Sequence, residues 1–186
     1  CIPILDSIAV PATTGQTRRM VRDHFRDLEQ ARVNFDLLLR GWESMSLTER
    51  GAMLGRIAKL VPAVAEGLDS VKSFSVLNSI STEDINEIVL KHRGLMSDYG
   101  AVADAIKDEA DRLGARHKVL PLLVATIDAL ARLLSQHVLF CPKPLHGEKA
   151  YEEWMANHHV ALEKVTSTQN RLADLSSVHV WAVSGE

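Results

Sequence analysis

Apolar side chains recur along most of this chain in alternating steps of three and four residues. That rhythm keeps one face of an α-helix greasy and the opposite face polar, so each such segment must lie against another. The first row runs Val21, Leu28, Phe35 and Trp42, with His24, Ala31, Leu38 and Met45 as its companion row. A second segment carries Leu54, Ile57, Val61, Val64, Leu68 and Val71. A third carries Ile85, Ile88, His92, Leu95, Tyr99, Val102, Ile106, Ala110 and Leu113, on the order of eight helical turns. The predicted fold class is therefore all-α: an elongated, mostly antiparallel bundle of four to five long helices with coiled-coil-like packing.

Local chemistry sets the boundaries. Residues 1–15 contain Pro3, Pro11 and Gly15 with no sustained period and read as an irregular leader, leaving 16–186 as one helical-bundle domain. Gly41 closes the first helix, and Ser46 with Glu49 forms a capping box for the second. Pro62 lies inside the second segment, but the apolar phase is the same on both sides, which predicts a kink and not a turn. Ser81, three residues before Asp84, caps the third helix.

The third stripe continues as His117, Leu120, Val124, Ile127, Ala131, Leu134 and Val138. An unbroken helix from Thr82 to Val138 would be on the order of 85 Å long at 1.5 Å per residue. Gly114 and Pro121 instead punctuate the segment, and a break near 114–118 is the preferred expectation. Beyond it, Leu122, Leu123, Ile127, Leu130, Leu133 and Leu134 cover more than one stripe, which predicts a central helix. Asp128 and Arg132 near the middle of this segment argue against a membrane span, and their spacing lets them pair on an exposed strip. A fifth helix is expected from about Glu148 to Leu175, with Tyr151, Met155, His158, Leu162, Val165 and Leu172 on its inner side. The run from Val178 to Val183 stays unassigned.

Composition narrows the class further. With 46% apolar and 24% charged residues, the chain has the make-up of a folded soluble domain, and a net charge of −3 gives no general reason to bind nucleic acid. Two cysteines cannot form a disulfide framework, which points to a reducing, cytoplasmic setting, with a single Cys1–Cys141 bridge as the alternative. The start at Cys1 without a methionine or a signal-peptide pattern reads as a piece of a larger protein.

No sequence motif fixes a reaction. The chain lacks a nucleophile elbow, a phosphate loop, a dinucleotide fingerprint and paired metal-ligand motifs, so a non-enzymatic role is expected. Long helices without a pocket motif present surfaces, and the expected function is protein interaction or scaffolding through a helical face, with a homodimer as one form of it. Arg18, Arg22 and Arg26 line the first helix, and Trp42 and Trp154 are the candidate partner anchors. Asp23, Asp27 and Glu29 lie among those arginines, so a solvated face is the simpler reading of the strip. The basic cofactor expectation is none. The alternative is a sensor or ligand-binding bundle over 137–159, in which His137, Cys141 and His158 hold zinc, since imidazole and thiolate one turn apart can share it. Three of the eight histidines, His24, His92 and His117, fall on apolar stripes; a cluster of them in the core would make stability depend on pH, while solitary core histidines with a hydrogen-bond partner are the commoner arrangement.

Overall fold

The computed structural model describes residues 14–113, 118–137 and 143–184. It contains five helices that pack against one another, and no strand among the described residues: α1 (Thr14–Gly41), α2 (Leu47–Val76), α3 (Thr82–Leu113), α4 (Leu120–His137) and α5 (Lys143–Ser184). A short 3₁₀ turn, Trp42–Ser44, links the first two.

The starts and stops follow from identifiable residues. Ser46 accepts a hydrogen bond from the Glu49 amide at 3.2 Å, and the Glu49 carboxylate accepts from the Ser46 amide at 2.7 Å, so the expected capping box is present. Pro62 is retained inside α2. The helix ends at Asn78, whose φ of 57° places it in the left-handed region. There the Ser79 amide donates to the Phe74 carbonyl and the Asn78 amide to the Ser75 carbonyl, a Schellman closure. Ser81 then caps α3 through the Asp84 amide. Near the start of α5, Gly147 adopts φ 84° and ψ 178°, a conformation suited to glycine, and interrupts the helix just before Glu148.

Side-chain pairings give the directions. Between α1 and α3, His24 meets His92 and Phe35 meets Tyr99, so numbers rise together and the two run parallel. Between α3 and α5, Arg93 pairs with Glu153 and Asp104 with Lys164, again in parallel. Between α4 and α5, Asp128 accepts from Gln169 while the Leu134 carbonyl meets His158, so these two oppose. α1 and α2 also oppose: Trp42 lies by Arg50, and His24 by Gly67. Consecutive helices thus alternate in direction, and α1, α3 and α5 form a parallel three-helix layer over α2 and α4.

The inner faces supply one core. The expected stripes of α1, α2 and α3 are buried through Val21, Leu28, Phe35, Ile57, Val64, Leu68, Leu95 and Ile106, each large side chain contributing roughly 1.5–3 kcal/mol. α3 and α4 are two helices, not one rod. His92 and Tyr99 on α3 touch His137 on α4, which an unbroken helix would hold tens of ångströms away.

Three expectations are corrected. Asp128 and Arg132 do not pair with each other; Asp128 meets Gln169 on α5 and Arg132 meets Asp69 on α2 at 3.8 Å, because each faces a neighbouring helix. Leu122 is exposed, since α4 has a free outer strip even though Leu123, Ile127, Leu130, Leu133 and Leu134 are buried. The inner face of α5 is Trp154, His158, Ala161, Val165, Thr168, Leu172 and Leu175, with Tyr151, Met155 and Leu162 at its margins. The backbone of 178–184, unassigned from sequence, continues as helix.

Candidate functional site

The unusual feature of this core is polar. His24 from α1, His92 from α3 and His137 from α4 are each 1–2% exposed and are linked in a line through the middle of the bundle. His24 Nε2 lies 3.2 Å from His92 Nε2, and His92 Nδ1 lies 2.9 Å from His137 Nε2. The Tyr99 hydroxyl reaches the same His92 Nδ1 at 3.0 Å. The His24 and His92 rings stack at 26°, and the His137 ring meets that of His92 nearly edge-on.

Each position has a cause in the sequence. His24 and His92 occupy inner stripe positions, and Tyr99 lies seven residues after His92 on the same face of α3. Room for His24 comes from α2, where Gly67 carries no side chain: a Cβ there would overlap His24 Nδ1. At the other end, Trp154 of α5 is 1% exposed and packs against His137 with ring centroids 5.5 Å apart. His158 Nε2 lies 2.7 Å from the Leu134 carbonyl, which ties α5 to α4.

Burial dominates the electrostatics. It pushes the imidazole of His24 down to about 4 and that of His137 down to about 3, His158 adding to the latter. His92 is held well below its ordinary value by burial, and then by His137 and His24. The Tyr99 phenol is pushed well above its ordinary value by burial, with Asp98 adding to it. All three imidazoles are therefore neutral near pH 7. Several polar atoms are buried without a hydrogen-bond partner among the described residues, including Nδ1 of His24, Nδ1 of His137 and Nε1 of Trp154.

The proposed zinc residues divide across this picture. His137 and His158 are both buried, but His137 Nε2 is engaged with His92 and His158 Nε2 with a carbonyl. Cys141 lies outside the described residues, as does the Cys1–Cys141 bridge. The string presents its nitrogens along a line, His92 using one on each side, and they do not converge on a point as tetrahedral ligation requires. No group of three or more metal-capable side chains is assembled among the described residues.

The surface candidates are also placed. Arg18, Arg22 and Arg26 are exposed on α1, and Arg26 pairs with Asp23 at 3.5 Å. Trp42 is half-buried beneath the Arg50 guanidinium, 4.8 Å from the ring centroid. Trp154 belongs to the core and not to the surface of this chain. A different surface feature was not visible in the sequence. A groove of about 260 Å³ lies between α1 and α3, lined by Leu28, Glu29, Arg32, Leu90, Lys91, Gly94 and Leu95. Val33 and Leu37 on the outer side of α1 and Leu90 on the α3 wall of the groove are 42%, 50% and 48% exposed. Their helical register could have suggested an outer stripe, but only the pairing of α1 with α3 makes it a groove. No helix among the described residues is long and apolar enough to cross a membrane. No known family, curated protein or solved structure matches this chain.

Proposed function

We propose that this chain is a non-enzymatic helical interaction module that pairs with a second copy of itself through the outer face of α1 and α3. The observation that carries this reading is that α1 supplies both halves of a fit. Its exposed Val33 and Leu37 form a ridge, and its Leu28 side forms one wall of the groove against α3. A surface with its own ridge and groove suits a two-fold pairing, where each copy seats the other's ridge. Leu90 and Gly94 keep part of the α3 side apolar and low, and the charges at the rim are paired, Glu29 with Arg32 and Lys91 with Glu87, so two copies meet without a large net repulsion.

Light scattering coupled to size-exclusion tests the pairing. The purified chain is expected at near twice its 20.5 kDa mass. The double substitution Leu37→Glu with Leu90→Glu is expected to return it to the monomer while helical content stays unchanged. A wild-type chain that remains at 20.5 kDa up to high micromolar concentration would refute self-pairing.

A further inference from the structure

Counting protons along the histidine string fixes its polarity. A neutral imidazole carries one N–H. Of the three in the string, one is used between His24 and His92, and one between His92 and His137. The third must sit on Nδ1 of His24 or Nδ1 of His137, and neither has a partner among the described residues. Tyr99 decides between them. If His92 Nδ1 is bare, its one lone pair is shared by the Tyr99 hydroxyl and His137 Nε2–H, while His92 Nε2–H donates to His24. Only the His24 Nδ1–H is then left over. The reverse polarity strands both the Tyr99 hydroxyl and the His137 Nδ1–H, so the first arrangement has fewer unmade bonds.

A fourth proton has no good place. The one free lone pair in that arrangement is His137 Nδ1, and a proton there creates a cation in the core. The groups facing the string carry nothing to offset it: His158 and Trp154 from α5, Tyr99 from α3 and Gly67 from α2. Among nearby acids, Asp98 acts on the Tyr99 phenol, Glu153 pairs with Arg93 at the surface, and Asp69 is exposed and engaged with Gln136 and Arg132.

We propose that the string is an acid-triggered release for the bundle: as pH falls through about 6, the unfolded chain accepts protons that the folded chain refuses, and the five helices separate together. The sign follows from the lowered imidazoles. Between the unfolded value near 6.5 and the folded values, the unfolded chain binds more protons, so stability rises with pH across that window and is lost on acidification. Because His24 joins α1 to α3 within one layer and His137 joins α4 to α3 across the two, loss of the string loosens that layer and its hold on the other at once. This response belongs to the folded core and holds whether or not two copies pair through the groove.

Urea unfolding of the full chain, at a concentration where light scattering shows one oligomeric state, tests it. From pH 7.5 to pH 5.5 each refused proton multiplies the unfolding constant about tenfold, and three multiply it about 1,000-fold. His24→Gln is expected to reduce that ratio to about 100-fold. A wild-type ratio of tenfold or less, the share of a single imidazole, overturns the proposal even if no His24 variant folds.

Discussion

At the scale of single residues, the core of this protein is set by one missing side chain. Gly67 has no special backbone requirement; what it provides is the space that His24 Nδ1 occupies. A methyl group there cannot be relieved by a flexible chain end, because the atom it meets belongs to a ring held by His92. Gly67→Ala is therefore expected to destabilise the fold by about 2 kcal/mol despite alanine's better helix propensity. Most of that cost is expected to vanish in a His24→Ala background, where the overlap no longer exists. Chemical denaturation of the two single variants and the double variant measures the coupling. Equal cost in both backgrounds would contradict the assignment. The surface ion pairs, including Arg32 with Glu29 and Arg40 with Asp36, contribute little by comparison, since both partners are well exposed.

At the scale of helices, termini matter as much as stripes. Asn78 closes α2 in a left-handed conformation that glycine adopts at less cost and alanine at more. Asn78→Gly is expected to raise stability by a few tenths of a kcal/mol and Asn78→Ala to lower it by about 1 kcal/mol, read from thermal or urea unfolding. The reverse order would mean that α2 ends elsewhere. Much of this level was legible in the sequence: the capping box at Ser46, the start at Ser81 and the inner rows of α1, α2 and α3 follow directly from residue type and spacing. The inner face of α5 was legible only in part, through His158, Val165 and Leu172. Its true row passes through Ala161 and Thr168, one small and one polar, so the larger Tyr151, Met155 and Leu162 beside it gave a stronger but misplaced signal. Thr168 is tolerated inside because its hydroxyl reaches the Lys164 carbonyl on its own helix and the Ala103 carbonyl on α3. Likewise Asp128 and Arg132 have pairing spacing, but spacing within one helix says nothing of better-placed partners on its neighbours.

At the scale of the whole molecule, three parallel helices lie over two that return, and the histidine string crosses between the layers where α1, α3 and α4 meet. The stripes placed His24 and His92 inside, and His137 stood out for its nearness to Cys141. Nothing local to those residues showed that all three meet, because the contact spans 68 and 45 residues of sequence and depends on helix order. The same order creates the α1/α3 groove proposed for pairing. The central claim is that three neutral imidazoles tie α1, α3 and α4 together with a fixed polarity. Nitrogen-15 NMR of the imidazole rings tests it most directly. The account predicts His24 as the Nδ1–H tautomer, His92 and His137 as Nε2–H tautomers, and no protonation of any of the three in the folded chain down to about pH 5.5. Ordinary titration of these rings near 6.5 while the chain stays folded would contradict it.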